Sequence, residues 1–392
     1  MVASRPESTY LGLDNRAMFK YRQLPHLLLS SFLVLLLGCG PTLKQAHISD
    51  QAVQAEKEKQ QEIAFDTFIK RQKRLYAVSF PLLAAAYSMD INDAILVGGF
   101  LVCTKDAFGK EYREVAQRYF NLGDNPVIYY VQPQFPAAKA GIKVGDRLLN
   151  YDGVALTGKS YKEIKKILQQ KKLGKDKRIK VVVERDGRIM DFTLEGVPCA
   201  KYNLALVAND QINAMSDGQN IIIFSGLMRT AENDDELAFV VAHEIAHNVL
   251  GHVRKRRGNV ILGSILDILI LGVTGVSTGG LFGSLGSAAY SKGFEFEADY
   301  AGLYIAARAG HDVSGATNFW RRLAAEHPRS TEKAFAASHP STPERFVAME
   351  QTIREIKEKQ RLGQPLIPES PQQRSSEKSG WYKPPEPAAA TK

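Results

Sequence analysis

The sequence is short of several things. It has three cysteines in 392 residues, Cys39, Cys103 and Cys199, too few for a disulfide framework or a zinc-thiolate cluster. It has no unbroken apolar run of the roughly 20 residues that a spanning helix needs. It does not lack apolar residues: 44% are hydrophobic and 24% charged, which excludes a disordered chain or a collagen and leaves room for two or three domains. The formal net charge is +9, yet Lys159 to Lys180 alone holds ten Lys/Arg against Glu163 and Asp176, a net of +8. The high pI is therefore a local basic face, suited to acidic peptide tails or anionic lipid head groups, with plain solvation as the default. Tyr161 is its only aromatic, which argues against nucleic acid as a partner.

The longest apolar run, residues 27–38 (LLLSSFLVLLLG), follows Lys20 and Arg22 and reads as the n-region and h-region of a signal peptide, residues 1–38. It ends in Leu36-Leu37-Gly38-Cys39, which resembles the bacterial lipobox. That resemblance implies lipidation of Cys39, a membrane anchor, and, with Gly40 following, the periplasmic face of the outer membrane. Residues before Met18 are atypically polar, so translation is expected to begin at Met18. An oxidising compartment lets disulfides persist, so Cys103 and Cys199 are expected either to pair or to remain as two buried thiols.

The mature chain is expected to divide into a lipidated N-terminus with a helical spacer (39–94), a β-rich module (95–198), a larger domain (199–359) and a disordered tail (360–392). In the spacer Phe65, Phe68, Ile69, Leu75 and Tyr76 fall at helical spacing, and Pro81 is expected to end or kink the helix. The β-rich module alternates short strands with Gly-containing turns and has Ser160 to Gln170 as its one clear helix. That pattern predicts a small, partly open barrel. The run from Ala137 to Leu149, then Asp152-Gly153, resembles the core of PDZ domains of the bacterial protease type. The resemblance implies capture of an extended peptide beside the helix, with Gly98 and Gly99 in the carboxylate-holding loop.

The chemistry is in the larger domain. His243-Glu244-Ile245-Ala246-His247 is an HExxH motif inside a predicted helix, Asp234 to Val253. Residues i and i+4 lie about 40° apart around a helix, so the two imidazoles can share one zinc ion while Glu244 reaches a metal-bound water as general base. His252 falls about 180° around from His243 and is expected to be a structural contact, not a ligand. A hydrolytic zinc takes a third protein ligand, and Glu295-Phe296-Glu297-Ala298-Asp299 supplies it: Glu295 as ligand, Asp299 on the same face to accept the second N–H of a ligand histidine, and Glu297 pointing to solvent. The segment between the motifs, residues 260–289, is glycine-rich and reads as a flap over the cleft or a membrane-dipping hairpin.

The ordering of these motifs resembles the glutamate-type zincins and, more narrowly, the HtpX/BepA/LoiP/Oma-type metallopeptidase family shared with the CAAX prenyl protease. The resemblance implies an α+β fold: a mainly helical gluzincin domain with a small edge-strand sheet, preceded by the PDZ-like module. It implies one Zn2+ per chain and hydrolysis of protein substrates. It also places Asn213 and Ile222 of the Asn220–Phe224 strand at the cleft edge, where substrate backbone pairs. The later run Ser338-His339-Pro340 to Glu344-Arg345 resembles the family's HP…ER motif, which implies that His339 meets the oxyanion or caps the zinc at rest and that Arg345 supports it.

Overall fold

The computed structural model describes residues 48–89, 94–256, 290–326 and 339–369. The expected leader and Cys39, residues 260–289, Ser338 and the tail beyond Glu369 lie outside the described residues. Contacts divide the chain into Met1–Glu58 and Lys59–Lys392; the packing described below belongs to the second unit.

Helix α1 (Asp50–Ala86) buries Phe65, Ile69, Leu75, Val78, Leu82 and Leu83. Pro81 neither ends nor breaks it. A proline deprives the carbonyl four residues earlier of its partner, and here that carbonyl, Ala77, accepts from Gln132 Nε2 at 3.3 Å. A side chain from outside the helix replaces the missing N–H.

The β-rich module contains β1 (Ala94–Val97), β2 (Phe100–Cys103), α2 (Arg113–Phe120), β3 (Val127–Val131), α3 (Pro136–Ala140), β4 (Arg147–Tyr151), β5 (Val154–Ala155), α4 (Tyr161–Leu168), β6 (Arg178–Arg185), β7 (Arg188–Glu195) and β8 (Val197–Ala200). The predicted helix is α4, closed by a capping box in which Ser160 and Glu163 satisfy each other's backbone N–H. Helices α2 and α3 are two that the strand-and-turn pattern hides. The barrel expectation fails: β2-β3-β4-β6-β7 form one open sheet with β5 on β4. The chain turns at Gly98 and at Gly99, whose φ of +84° suits glycine, and β1 leaves the sheet to pair with β8. Ile128, Leu148, Ile164, Ile179, Val181 and Val183 form its core.

That divergence also corrects the disulfide. Cys199 sits opposite Ile95 on the β1–β8 pair, whereas Cys103 lies on β2 opposite Val127, among Phe65, Phe108 and Tyr129. Both thiols are free and buried.

The C-terminal body is mainly helical, as expected. Strands β9 (Asn203–Val207), β10 (Ala214–Ser216) and β11 (Asn220–Phe224) are followed by α5 (Ser225–Thr230), α6 (Asp234–Val249), α7 (His252–Arg256), α8 (Lys292–Arg308), α9 (Ala316–Glu326) and α10 (Pro343–Arg361). The small sheet runs in the order β10-β11-β9. Strand β11 is therefore central. Ile222 faces Met215 on one side and Ala205 on the other and is buried, so it cannot pair with substrate backbone. The strand on the outside of the sheet beside it is β10.

Burial raises both thiol pKa values, that of Cys199 to about 12. Neither should react with an aromatic disulfide reagent in the native protein at pH 8, and both should react on unfolding, since the thiolate is the reactive form. A Cys103–Cys199 peptide in a non-reducing digest would contradict the separation.

Candidate metal centre

Two helices carry the centre, and their ends are set by local chemistry. Asn233 caps α6 by accepting from the Glu236 amide at 2.9 Å, with Asp234, Asp235 and Glu236 in the first turn, where acids complement the helix dipole. Every residue from Leu237 to Asn248 is buried, so the motif is held in the middle of a core helix. Ser291 caps α8 by accepting from Phe294. Gly302 of α8 faces the backbone of α6 so closely that a Cβ there would lie 3.1 Å from the His243 nitrogen. Glycine suits this approach, since a Cβ would push the two helices apart by a few tenths of an ångström, and it sets Glu295 and Asp299 opposite His243 and His247.

The four donor residues, His243, His247, Glu295 and His339, have ligating atoms within 4.8 Å of one another, all buried. His243 Nε2 lies 3.1 Å from His247 Nε2 and 3.6 Å from Glu295 Oε2; His247 Nε2 lies 3.4 Å from Glu295 Oε1. His339 Nδ1 lies 3.1 Å from His243 Nε2 and 3.0 Å from Glu295 Oε1. Zinc bonded at about 2.0–2.1 Å in a tetrahedron sets its donors about 3.4 Å apart, so the set fits one zinc ion. Beside it, both oxygens of the Glu244 carboxylate are buried without a hydrogen-bond partner, the nearest cation-forming group being His339 Nε2 at 3.3 Å. A buried carboxylate is costly without a partner; this one is shaped for a species that the protein itself does not supply.

The next layer of contacts holds the donors still. Asp299 Oδ1 sits 3.0 Å from His243 Nδ1, as the i, i+4 spacing from Glu295 predicts. Arg345 Nε and Nη2 donate to the two Asp299 oxygens at 2.8 Å each, and Nη1 reaches Glu295 Oε2 at 2.8 Å and the Pro340 carbonyl at 2.9 Å. Arg345 thus ties the His339-Pro340 turn to α8. Burial opposes a charge on His243, but the Asp299 hydrogen bond and the Glu295 and Asp299 charges outweigh it and raise its pKa. His247 is pushed down, first by burial and then by its histidine neighbours. Burial opposes ionisation of Glu295 too, but His339, His247 and His243 hold it far below the usual carboxylate range. An ionised Glu295 and a neutral His247 are the states in which each can ligate a metal.

Two aromatic neighbours carry no sequence signal: Tyr290 stacks on His247 at 3.9 Å between centroids, and Trp320 lies 5.6 Å from His243. His252 is not among the donors and contacts a second helix through Glu297, as expected, but it does not lie on the far side of α6. Helix α6 stops at Val249, the chain turns through Gly251 (φ +68°), and His252 opens α7 beneath His247. Glu297, expected to be solvated, is half exposed but bonded to His252.

Residues 175–353 match the description Peptidase family M48, and residues 127–183 match the PDZ domain. The part of the chain that carries the donor cluster thus matches peptidase family M48. All the metal-centre residues fall inside the M48 match, whereas Gly98, Gly99 and Cys103 precede the PDZ match. The beta-barrel assembly-enhancing protease of Yersinia pestis is 34% identical over 139 residues, 31% of this chain and 28% of that protein. The mitochondrial metalloendopeptidase OMA1 of Schizosaccharomyces pombe is 29% identical over 177 residues, 43% of this chain and 51% of that one. The chain thus spans between 28% and 51% of the length of these relatives.

Apart from this centre, Gly98 and Gly99 line a cavity of about 120 Å³ with Phe100, Tyr161 and Lys165 of the β-rich module, Phe80 of α1 and Leu204 of β9. No described helix is long and apolar enough to cross a membrane.

Replacing Arg345 with Met leaves two buried carboxylates without their cation, which should destabilise the metal-free protein by about 3–5 kcal/mol. Lysine should rescue little, because it cannot make the bidentate contact. Urea unfolding that shows a loss under about 1 kcal/mol would contradict this role.

Proposed function

We propose that the chain is a zinc metalloendopeptidase. The observation that carries this reading is the orphaned Glu244 carboxylate beside the His243, His247 and Glu295 donor atoms. Zinc held there supplies Lewis acidity to a water and to the scissile carbonyl. Glu244 takes the water's proton and returns it to the departing amine. Asp299 keeps the proton of His243 on Nδ1, so that its Nε2 lone pair faces the donor cluster, and Arg345 keeps Asp299 and Glu295 in place. Substrate backbone adds alongside β10, and the side chain of Asn213 just before that strand accepts from the Ala214 amide at 2.9 Å.

The finer reading rests on sequence features. The lipobox ending in Cys39 supports a lipid-anchored protein on the periplasmic face of the outer membrane, and the PDZ groove supports selection of protein substrates, misfolded or misassembled envelope proteins, by an extended terminus. This reading divides the chain at 94/95 and 198/199, both within the β1–β8 pair.

One observation favours a second reading, an assembly scaffold or chaperone with a closed centre: His339 Nδ1 already stands among the ligand atoms, 3.0 Å from Glu295 Oε1. In that arrangement His339 would serve as a fourth donor and hold the centre shut.

Cleavage of casein by the zinc-loaded chain tests both readings. Glu244→Gln should keep its zinc and lose about 10²–10⁴-fold in rate, and an active, zinc-replete variant would sink the assignment. His339→Ala should raise basal cleavage if the histidine caps the centre. A wild type and a His339→Ala variant that both bind zinc and both fail to cleave would leave the scaffold reading.

A further inference from the structure

His252 is fully buried, at 0% exposure. Its Nδ1 lies 3.0 Å from His247 Nδ1, and its Nε2 lies 3.0 Å from Glu297 Oε2. Its ring stacks on Phe294 at 4.4 Å and 14°, which fixes its plane. Three consecutive groups therefore run from the ligand cluster to the surface: His247, His252 and Glu297, the last with 59% of its side chain exposed.

The proton positions in this chain are determined by its outer end. A carboxylate only accepts hydrogen bonds, so Glu297 requires His252 to donate from Nε2. A neutral His252 that donates from Nε2 has a lone pair on Nδ1. That lone pair accepts from His247 Nδ1–H, and His247 is left with its own lone pair on Nε2, the atom 3.1 Å from His243 Nε2 and 3.4 Å from Glu295 Oε1. The partner of the other ligand histidine is different: His243 uses the Asp299 carboxylate directly.

We infer that His252 and Glu297 are positioning residues, which together set the tautomer and ring orientation of His247 for metal binding. The inference rests on the metal-centre reading above and goes beyond it, because neither residue touches the ligand cluster's donor atoms. It also accounts for a buried histidine whose place on the sequence pattern suggests only packing. Groups that orient a metal-bound histidine in this way are typically worth 10–100-fold in metal affinity.

The test is zinc affinity of the full chain by competition with a chromophoric chelator, with the visible spectrum of the cobalt-substituted protein as a readout of ligand geometry. Glu297→Ala removes an exposed side chain and so no core packing. It should weaken zinc binding by about 10-fold or more and alter the cobalt spectrum, while the metal-free protein still unfolds in one cooperative thermal transition. Glu297→Gln, whose amide oxygen still accepts from His252, should recover most of the loss. His252→Phe keeps the ring stacked on Phe294 and removes both hydrogen bonds, and should fall toward the 100-fold end. Wild-type zinc affinity and spectrum in Glu297→Ala would overturn the proposal even if the His252 variant fails to fold. A wild-type chain that binds no zinc would instead overturn the metal-centre reading itself.

Discussion

The structure turns on the close contact between α6 and α8 at Gly302. Each helix presents two functional residues four positions apart, His243 and His247 on one, Glu295 and Asp299 on the other. Separated by another side chain's width, these pairs would be two unrelated polar stripes inside a hydrophobic core. With no Cβ at position 302, where one would lie 3.1 Å from the facing backbone, the helices approach until the four residues form one cluster. Everything else near the centre responds to the cost of burying that cluster. Buried polar groups need partners, and buried charges need counter-charges. Arg345 comes in from α10 to neutralise Glu295 and Asp299, and its contact with the Pro340 carbonyl brings His339 to the same place. Leu237, Val241, Ile245, Leu303 and Phe319 belong to the hydrophobic core that α6 and α8 share.

The second organising feature is the way α1 spans the β-rich module and the helical body. Phe65 and Ile69 pack with Cys103, Phe108 and Tyr129, while Leu75, Val78 and Leu82 join the core that contains α6 and α8. Polar contacts follow the same route. Gln169, just past the end of α4, donates to Asn203 at 2.7 Å; Asn203 donates to Asn220 at 3.1 Å; and Asn248, next to His247, donates to the Asn220 carbonyl at 3.3 Å. The groove beside α4 and the helix that bears the metal ligands thus share a continuous polar seam, although neither needs the other for its own core.

Much of the centre was legible from residue spacing, because helical periodicity alone puts i and i+4 on one face. This was true of His243 with His247 and of Glu295 with Asp299, and the Asp299 contact to His243 Nδ1 follows from the same rule. What spacing cannot show is the end of a helix. His252 was placed on the far side of α6 by extending that helix four residues too far; Gly251, with a positive φ, ends the run and lets His252 turn back beneath His247. The β-rich module shows a similar limit. Strand and turn signals mark its strands, but closure depends on which strand pairs with which, and β1 pairs with β8 at a distance of about a hundred residues along the chain. That non-local pairing separates Cys103 from Cys199, and the β10-β11-β9 order puts Ile222 in the middle of a different sheet. Pro81 is a third case, where a distant glutamine side chain satisfies a carbonyl that local rules leave unpaired. The basic run Lys159 to Lys180 is mostly exposed, with Lys165 turned toward the groove.

The central claim, that residues from two helices and a later turn form a single zinc centre, is tested most directly by X-ray absorption at the zinc edge on the purified full chain in solution. The account predicts one zinc per chain, nitrogen and oxygen neighbours only at about 2.0–2.1 Å, and the outer-shell scattering of the His243 and His247 imidazoles, diminished by replacing either one. A chain that retains no zinc, sulfur scattering at about 2.3 Å, or a spectrum indifferent to loss of either His243 or His247 would contradict it.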